Sequence, residues 1–550
     1  MRPVIIIGAG IAGMSAALTL AEQGQKSILV SALPSERAQS VMAAGGINAA
    51  LNTKGEGDTI QQHYGDTLHA GCDLADPNAV RNLVEGAPEV VRRLAALGVA
   101  FNRQSSGALD LRHFGGQKKQ RTAFAQSSTG KQIVSALIQS LRRWEATGLV
   151  ERRPHHTLHH LAQNEEKECT GCIIKDNYTN SFEFLAGNVL LASGGLNGLF
   201  GKTTGTIQNK GAATALAYRA GAACANLEMI QYHPTTTAIA GKRALISEAA
   251  RGEGGRLFVR RGTEKWCFME EKFPELGNLM PRDVVSRESV LACEETGAET
   301  VWLDMTALSA ETFEKKLSDL RDFCLEFLHL DPKREYIPVY PGIHYFMGGL
   351  YVDADHKTTL GGLYAAGECA CQYHGANRLG GNSLLGAAYG GMRAAQTLLR
   401  EGQNRTFDEA AVWRAFEAAR TEDGCEKQIS CKALEQELIK TMKKTMGIRR
   451  TEESLAVGAA ALQRFKEELL QGRDPSVPCE EQRALLESVC LSEAMVESAR
   501  ARRESRGAQW RSDYPARDDG AYQKTTVARF ENGRAAITFE AIPKEGDLCR

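Results

Sequence analysis

The sequence predicts an α/β protein: a parallel-sheet domain interrupted by an inserted piece, then a helical segment and a short polar ending. Three observations carry this. The β-branched run Val4 to Ile7 leads directly into Gly8-Ala9-Gly10-Ile11-Ala12-Gly13 and then into a helical pattern. Related glycine-rich turns return at Gly45-Gly46 and again, far along the chain, at Gly367. From about residue 403 the apolar residues recur with helical spacing. A chain of 550 residues buries several cores without disulfide help.

Each element has a local reason. Val4 to Ile7 reads as a buried parallel strand. The helical stretch Ser15 to Gln23 and a second strand, Ser27 to Val30, follow it. Strand, glycine turn, helix and strand together are the setting in which G-x-G-x-x-G binds a dinucleotide. Gly8 makes the tight turn, Gly10 lets backbone N–H groups approach a pyrophosphate, and Gly13 lets helix and strand pack closely. The phosphate then sits at the positive end of the helix dipole. Ser31 stands where a carboxylate usually binds the ribose; its hydroxyl suits a sugar but does not choose between FAD and NAD. The second turn, Ala43-Ala44-Gly45-Gly46-Ile47-Asn48, lies close enough for a long dinucleotide to extend across the domain. The third, Ala365-Ala366-Gly367-Glu368, follows a strand-like Gly362 to Tyr364. It leads through Arg378 into an apolar helix from Asn382 to about Leu399.

The two halves of the glycine pattern bracket the insertion. Residues 1–225 and 341–402 are expected to form the dinucleotide-binding domain, with 226–340 as an α+β cap. Residues 403–505 are read as a helical domain: Leu434, Leu438, Met442 and Met446, then Leu455, Leu462, Phe465 and Leu469, form apolar stripes. Residues 506–550 make a small C-terminal domain with short strand-like runs such as Ala535 to Phe539.

Composition excludes several function classes. Lys plus Arg is 66 against 67 for Asp plus Glu, a net charge of −1, which argues against a nucleic-acid binder and an acidic disordered chain. The 14 cysteines are dispersed, as in an intracellular protein with reduced thiols. The one C-x-x-C, Cys169 to Cys172, has neighbours that look like a hairpin turn and supplies too few ligands for a tetrahedral metal. His155, His156, His159 and His160 fall in a polar stretch between expected strands, so no metal site is expected. Residues 3–21 are uncharged, but their three glycines and strand-like run set them apart from a signal peptide or membrane helix, so the chain is expected to be soluble.

A set of ordered motifs spans nearly the whole chain: Phe114-Gly115-Gly116, Tyr232-His233-Pro234-Thr235, Ser247-Glu248 through Gly255, Pro281-Arg282-Asp283, His344 through Gly349, the Arg378 segment, Glu504 through Ala508, and Arg517-Asp518-Asp519. Together these resemble the flavoprotein subunit of the fumarate reductase/succinate dehydrogenase family, which also includes L-aspartate oxidase. The stretch Tyr514 to Asp519 and the Phe114 to Gly130 segment look more like the reductases.

The resemblance implies a Rossmann-like FAD-binding domain. FAD would be held by Gly8, Gly10, Gly13, Ser31, Ser40, Ala44, Gly45, Gly46 and Glu368, with the backbone N–H groups of Ser383 and Leu384 facing the flavin. It also implies Arg282 as proton donor to a four-carbon dicarboxylate, supplied through Glu248 and Arg251. His233, His344, Arg378 and Thr235 would bind substrate, and Phe114 and Met347 would exclude water.

Three positions depart from the family pattern. Gln39 stands where many members carry the histidine bonded to the flavin, so FAD is expected to be non-covalent and the fumarate-reducing direction favoured. Lys210 replaces an acidic residue, and Gln509 a histidine. No cysteine group suits an iron–sulfur cluster. The resemblance therefore implies a separate iron–sulfur subunit with a membrane anchor or a soluble donor subunit, and a place in the cytoplasm or at the inner face of the cell membrane through those partners. The alternatives are L-aspartate oxidase, a reductase of another unsaturated acid, and a non-catalytic FAD-binding subunit.

Overall fold

The computed structural model describes residues 2–402, 405–418 and 427–546. Residues 403–404 and 547–550, where the expected helical domain starts and the expected C-terminal domain ends, lie outside the described residues.

A five-stranded parallel sheet organises the molecule. Its order is Leu363–Ala365, Val189–Leu191, β1 (Val4–Ile7), β2 (Ser27–Ser31) and Val150–Pro154. Every residue of β1 is buried, because parallel strands are covered on both faces. Helix α1 (Ile11–Glu22) follows the glycine turn and starts four residues earlier than expected, with Gly10 as its N-cap. It packs on the distant helix Asn382–Glu401 so closely that a Cβ on Gly391 would lie 2.1 Å from Ala12 O. This contact, and the hydrogen bond from Ala366 N to Leu191 O (2.9 Å), bring the third glycine element beside the first.

The inserted piece carries a six-stranded antiparallel sheet. Its order is Lys242–Leu245, Ile230–Ile239, Ile337–Phe346, Val301–Asp304, Arg256–Arg261 and Glu264–Trp266. Its core, including Phe268, Val285, Leu303 and Phe313, also takes in the helix Arg282–Thr296. The long pair Ile230–Ile239 and Ile337–Phe346 is bulged at Gln231/Tyr232 and between His233 and Thr236. Bulges re-aim side chains, and these two fall where the charged cluster described below assembles.

In the helical segment, Cys431–Thr445, Glu452–Gln471 and Cys479–Ala501 pack together, and all eight apolar stripe residues named from the sequence are buried. The ending forms a hairpin, Lys524–Glu531 with Arg534–Ala541. This hairpin joins one sheet with Cys224–Ala225, Gly349–Tyr351 and Ala370–Cys371. Among the described residues, no helix is long and apolar enough to cross a membrane.

Cys169 and Cys172 are buried in the strand Cys169–Asp176, which follows directly on the turn joining it to the antiparallel strand His156–Gln163, the hairpin expected beside them. Gly171 lies inside that strand, where a Cβ would meet Leu185 O of the next strand at 2.2 Å. The histidine cluster needs correction. His156, His159 and His160 belong to the strand His156–Gln163, and the ring of His160 packs on Phe416.

Candidate active site

The glycine turns form a cradle whose shape excludes side chains. Gly8 adopts φ +117, and a Cβ there would lie 2.2 Å from Ala192 O. A Cβ on Gly13 would lie 1.9 Å from Gly8 O. Helix α1 starts without a side-chain cap, while Ser40 Oγ accepts from Ile11 N (3.3 Å) beside Gly10. The carbonyls of Ala44 and Gly45 are held by Arg112 Nη2, whose guanidinium lies over Phe124. Burial lowers the Arg112 pKa to about 10. Gly46 packs against Ala123 O.

The helix Asn382–Glu401 likewise begins with no side-chain cap and no acidic residue in its first turn, where Ser383 and Leu384 stand. Glu368 accepts from Phe346 N (3.0 Å), and burial raises its pKa to about 7. Two uncapped helix starts and a glycine-lined cleft fit the anionic and dipolar parts of FAD. The Ser31 hydroxyl donates to Leu33 O (2.7 Å), closing its own turn.

A buried charged cluster lies between the cap and the parallel-sheet domain. Arg282 opens the helix Arg282–Thr296 directly after Pro281. Its Nε (3.1 Å) and Nη2 (2.7 Å) donate to Glu248 Oε2, and its Nη1 donates to Gln231 Oε1 (3.1 Å). Glu248 also pairs with Arg251 Nη2 at 3.3 Å and accepts from Gly115 N at 3.3 Å. Burial pushes the Glu248 carboxyl up, but Arg282 and Arg251 outweigh it and hold it below the usual range. Arg251 Nη1 donates to Asn278 O. Burial, opposed by Glu248 and reinforced by Arg282, lowers the Arg251 pKa.

Arg378 is 3% exposed; its Nη2 donates to Gln231 Oε1 (3.0 Å) and its guanidinium lies over the Tyr345 ring. Burial and Arg282 lower its pKa to about 9. The rings of His233 and His344 are 5.3 Å apart, and burial with neighbouring arginines drives both pKa values well below normal, so both are neutral. Nδ1 of His233 accepts from Thr235 N (3.3 Å), which puts the proton on Nε2. That Nε2 is buried with no partner.

The expected residues Arg282, Glu248, Arg251, His233, His344 and Arg378 thus come together from five separate segments. Phe114 is buried against Gly45 and Gly380, and Met347 is buried. The Thr235 hydroxyl donates to Ile246 O (2.9 Å) and lies 3.3 Å from His233 Nδ1. Lys210 pairs with Glu435, and Gln509 bonds Arg450 and Ala499 O, so both departures sit in structural contacts.

Sequence reasoning missed three residues. Gln231 accepts from two arginines, Asn377 supports Gln231, and the Thr204 hydroxyl contacts His344 Nδ1 at 2.9 Å. The one available signal was a glutamine inside the apolar strand run Met229 to Tyr232. Gln39 Nε2 donates to Thr204 O (3.4 Å), next to this group.

A family model described as FAD binding domain matches residues 3–384, and one described as fumarate reductase flavoprotein C-term matches 435–545. The succinate dehydrogenase flavoprotein subunit of Bacillus subtilis (strain 168) is 36% identical, covering 98% of this chain and 95% of that protein. The L-aspartate oxidase of Streptomyces coelicolor is 33% identical, covering 96% and 92%. A solved chain of E. coli quinol fumarate reductase superposes with a TM-score of 0.90 at 27% identity, covering 98% of this chain and 96% of that chain.

Proposed function

The chain belongs to the FAD-dependent succinate dehydrogenase/fumarate reductase flavoprotein family, and on that premise we propose that it interconverts fumarate and succinate, working chiefly as a fumarate reductase. One observation carries the reading. Three arginines, Arg251, Arg282 and Arg378, are buried together, and among the described residues a single carboxylate, Glu248, pairs with the first two and none with Arg378. An uncompensated buried charge is costly, so the cluster favours an anion, and two carboxylates joined by a short carbon chain answer it.

Arg378 and the Nε2–H of His233 supply donors for the carboxylates, with His344 beside them. Arginine suits this task because its planar fork binds both oxygens and stays charged. Polarising a carboxylate draws charge from the adjacent double bond. FAD, when bound, supplies the hydride. Arg282 uses three of its five N–H groups on Glu248 and Gln231, leaving two for substrate. A free guanidinium, with a pKa above about 12, is a weak acid. Glu248, 2.7 Å from Arg282 and paired with Arg251, is placed to relay a replacement proton from Arg251 to Arg282. Phe114 and Met347 keep water from the reacting carbons.

Cofactor residues follow from the cradle: Gly8, Gly10, Gly13 and Ser40 toward the pyrophosphate, and Ala44, Gly45, Gly46, Glu368, Ser383 and Leu384 toward the flavin. With Gln39 in place of a linking histidine, FAD is held non-covalently. Acid precipitation then leaves the flavin in the supernatant; flavin in the pellet refutes this. Electrons come from an iron–sulfur partner subunit, itself joined to a membrane anchor or a soluble donor, which holds the chain in the cytoplasm or at the inner membrane face.

The deciding test is anaerobic oxidation of a reduced viologen dye by the FAD-loaded chain. Fumarate-dependent oxidation supports the reading; none, with FAD bound, refutes it. The 33% identity to an L-aspartate oxidase favours a second reading. Hydrogen peroxide formed with L-aspartate would select it, and turnover with other enoates alone would select a different unsaturated acid.

A further inference from the structure

Arg282 and Arg378 share a single acceptor, Gln231 Oε1, at 3.1 and 3.0 Å. An amide is ambiguous: rotated by half a turn, it would offer its NH2 to two guanidiniums, which are donors only. The other end of the amide therefore matters. Gln231 Nε2 donates to Asn377 Oδ1 (2.8 Å) and to Arg378 O (2.8 Å). Asn377 has the same ambiguity, and its Nδ2 donates to Asp283 Oδ1 (3.0 Å). An ionised carboxylate accepts only. A row of five groups thus runs from an acceptor-only end, through two amides, to two donor-only guanidiniums. Each amide can satisfy both neighbours in one orientation.

We propose that Asp283 is a positioning residue for the reaction, acting through Asn377 and Gln231 to fix Arg282 and Arg378 together. The proposal rests on the fumarate–succinate reading above and adds a coupling that reading does not contain. The proton donor Arg282 and the carboxylate anchor Arg378 move as a unit, because one amide oxygen holds both. Asp283 also stands in the first turn of the helix Arg282–Thr296, where an acid can simply offset the helix dipole. A cavity of about 20 Å³, lined by Asp283 with Gln231, Ser286, Arg287 and Asn377, has room for a single water. Ser286 lines the same cavity but bonds only Tyr232 O, outside the row.

The experiment uses the full FAD-loaded chain and two readouts. One is kcat and KM for fumarate-dependent oxidation of reduced viologen. The other is the shift in flavin absorbance on titration with malonate, a dicarboxylate with no double bond. Asp283→Asn keeps the volume but lets the end of the row donate as well as accept. Its expected effect is about a tenfold fall in kcat together with about a tenfold weaker malonate Kd, the scale of one poorly satisfied buried hydrogen bond. Asp283→Glu, which keeps an acceptor-only group, recovers part of both, and Ser286→Ala stays within twofold.

A dipole role alone leaves malonate binding unmoved. If Asp283→Asn leaves both readouts within twofold, or Ser286→Ala changes them equally, the proposal is wrong. If Asp283→Asn fails to hold FAD, Asn377→Leu, which cuts the row one residue later, is read by the same criteria. A wild-type chain that neither turns over fumarate nor binds malonate removes the functional reading itself. An active wild type with an unaltered Asp283→Asn removes only this proposal.

Discussion

Replacing Arg282 by glutamine separates chemistry from binding. Arg282 donates twice to Glu248 and once to Gln231, and two N–H groups remain. A glutamine is shorter, spans at most one of these partners, and cannot act as a cationic acid. General acid catalysis contributes about 10²–10⁴ in rate. The expected loss in kcat is therefore about 10³-fold, or roughly 4 kcal/mol on the barrier. KM changes by about tenfold or less, because Arg378, His233 and His344 still face the substrate.

The fold should tolerate the change. Glu248 keeps Arg251 at 3.3 Å and Gly115 N at 3.3 Å. The residual cost of about 1–3 kcal/mol for an under-satisfied buried group is small against a typical stability of about 5–15 kcal/mol. The assay is anaerobic viologen oxidation at saturating fumarate, normalised to bound FAD by absorbance. Arg282→Lys makes the control: one ammonium cannot reach both Glu248 and Gln231, so its rate falls between the two. A kcat for Arg282→Gln within tenfold of wild type, with FAD fully bound, would refute Arg282 as the proton donor.

Three other expectations concern support and stability. Burial raises the Glu487 pKa to about 7 despite Arg483 at 3.3 Å; the native state then keeps a proton that the unfolded chain releases near its ordinary carboxylate value. This contribution is fully present at low pH and is lost as pH rises through about 4.5 to 7, up to roughly 3 kcal/mol. Glu487→Gln should therefore match wild type near pH 4.5 and exceed it in urea unfolding at pH 8, and an equal urea midpoint at pH 8 would count against it. Leu462 is fully buried between the packed helices, so Leu462→Ala should cost about 2–5 kcal/mol and lower the melting temperature while leaving turnover per bound FAD at 25 °C intact. Thr204→Val removes the 2.9 Å contact with His344 Nδ1 at nearly constant volume, and should raise KM for fumarate about tenfold with a smaller change in kcat; an unchanged KM would exclude a role in holding His344.

What the sequence could announce depended on how a residue's meaning is carried. The β1–glycine–α1–β2 unit was legible because a β-branched run and glycines at fixed spacing have local causes. The apolar stripes from Leu434 to Leu469 were legible because helical period is local too. Errors arose where a distant backbone decided. Helix α1 began at Ile11, before Gly13, because Gly13 is held against Gly8 O and not because glycine favours a helix.

The site divides in the same way. Arginine, histidine and glutamate stand out by type, since burying a charge is costly enough to demand a function or a partner. Gln231, Asn377 and Thr204 are neutral, and amides and hydroxyls occur everywhere on protein surfaces. Their importance appears only once the bulged strand Ile230–Ile239 carries Gln231 between Arg282 and Arg378. Asp283 is the intermediate case: its charge was visible beside Arg282, but nothing local in the sequence gives it a task. Its partner Asn377 is 94 residues away, so only the fold reveals that its carboxylate faces an amide whose orientation both arginines require.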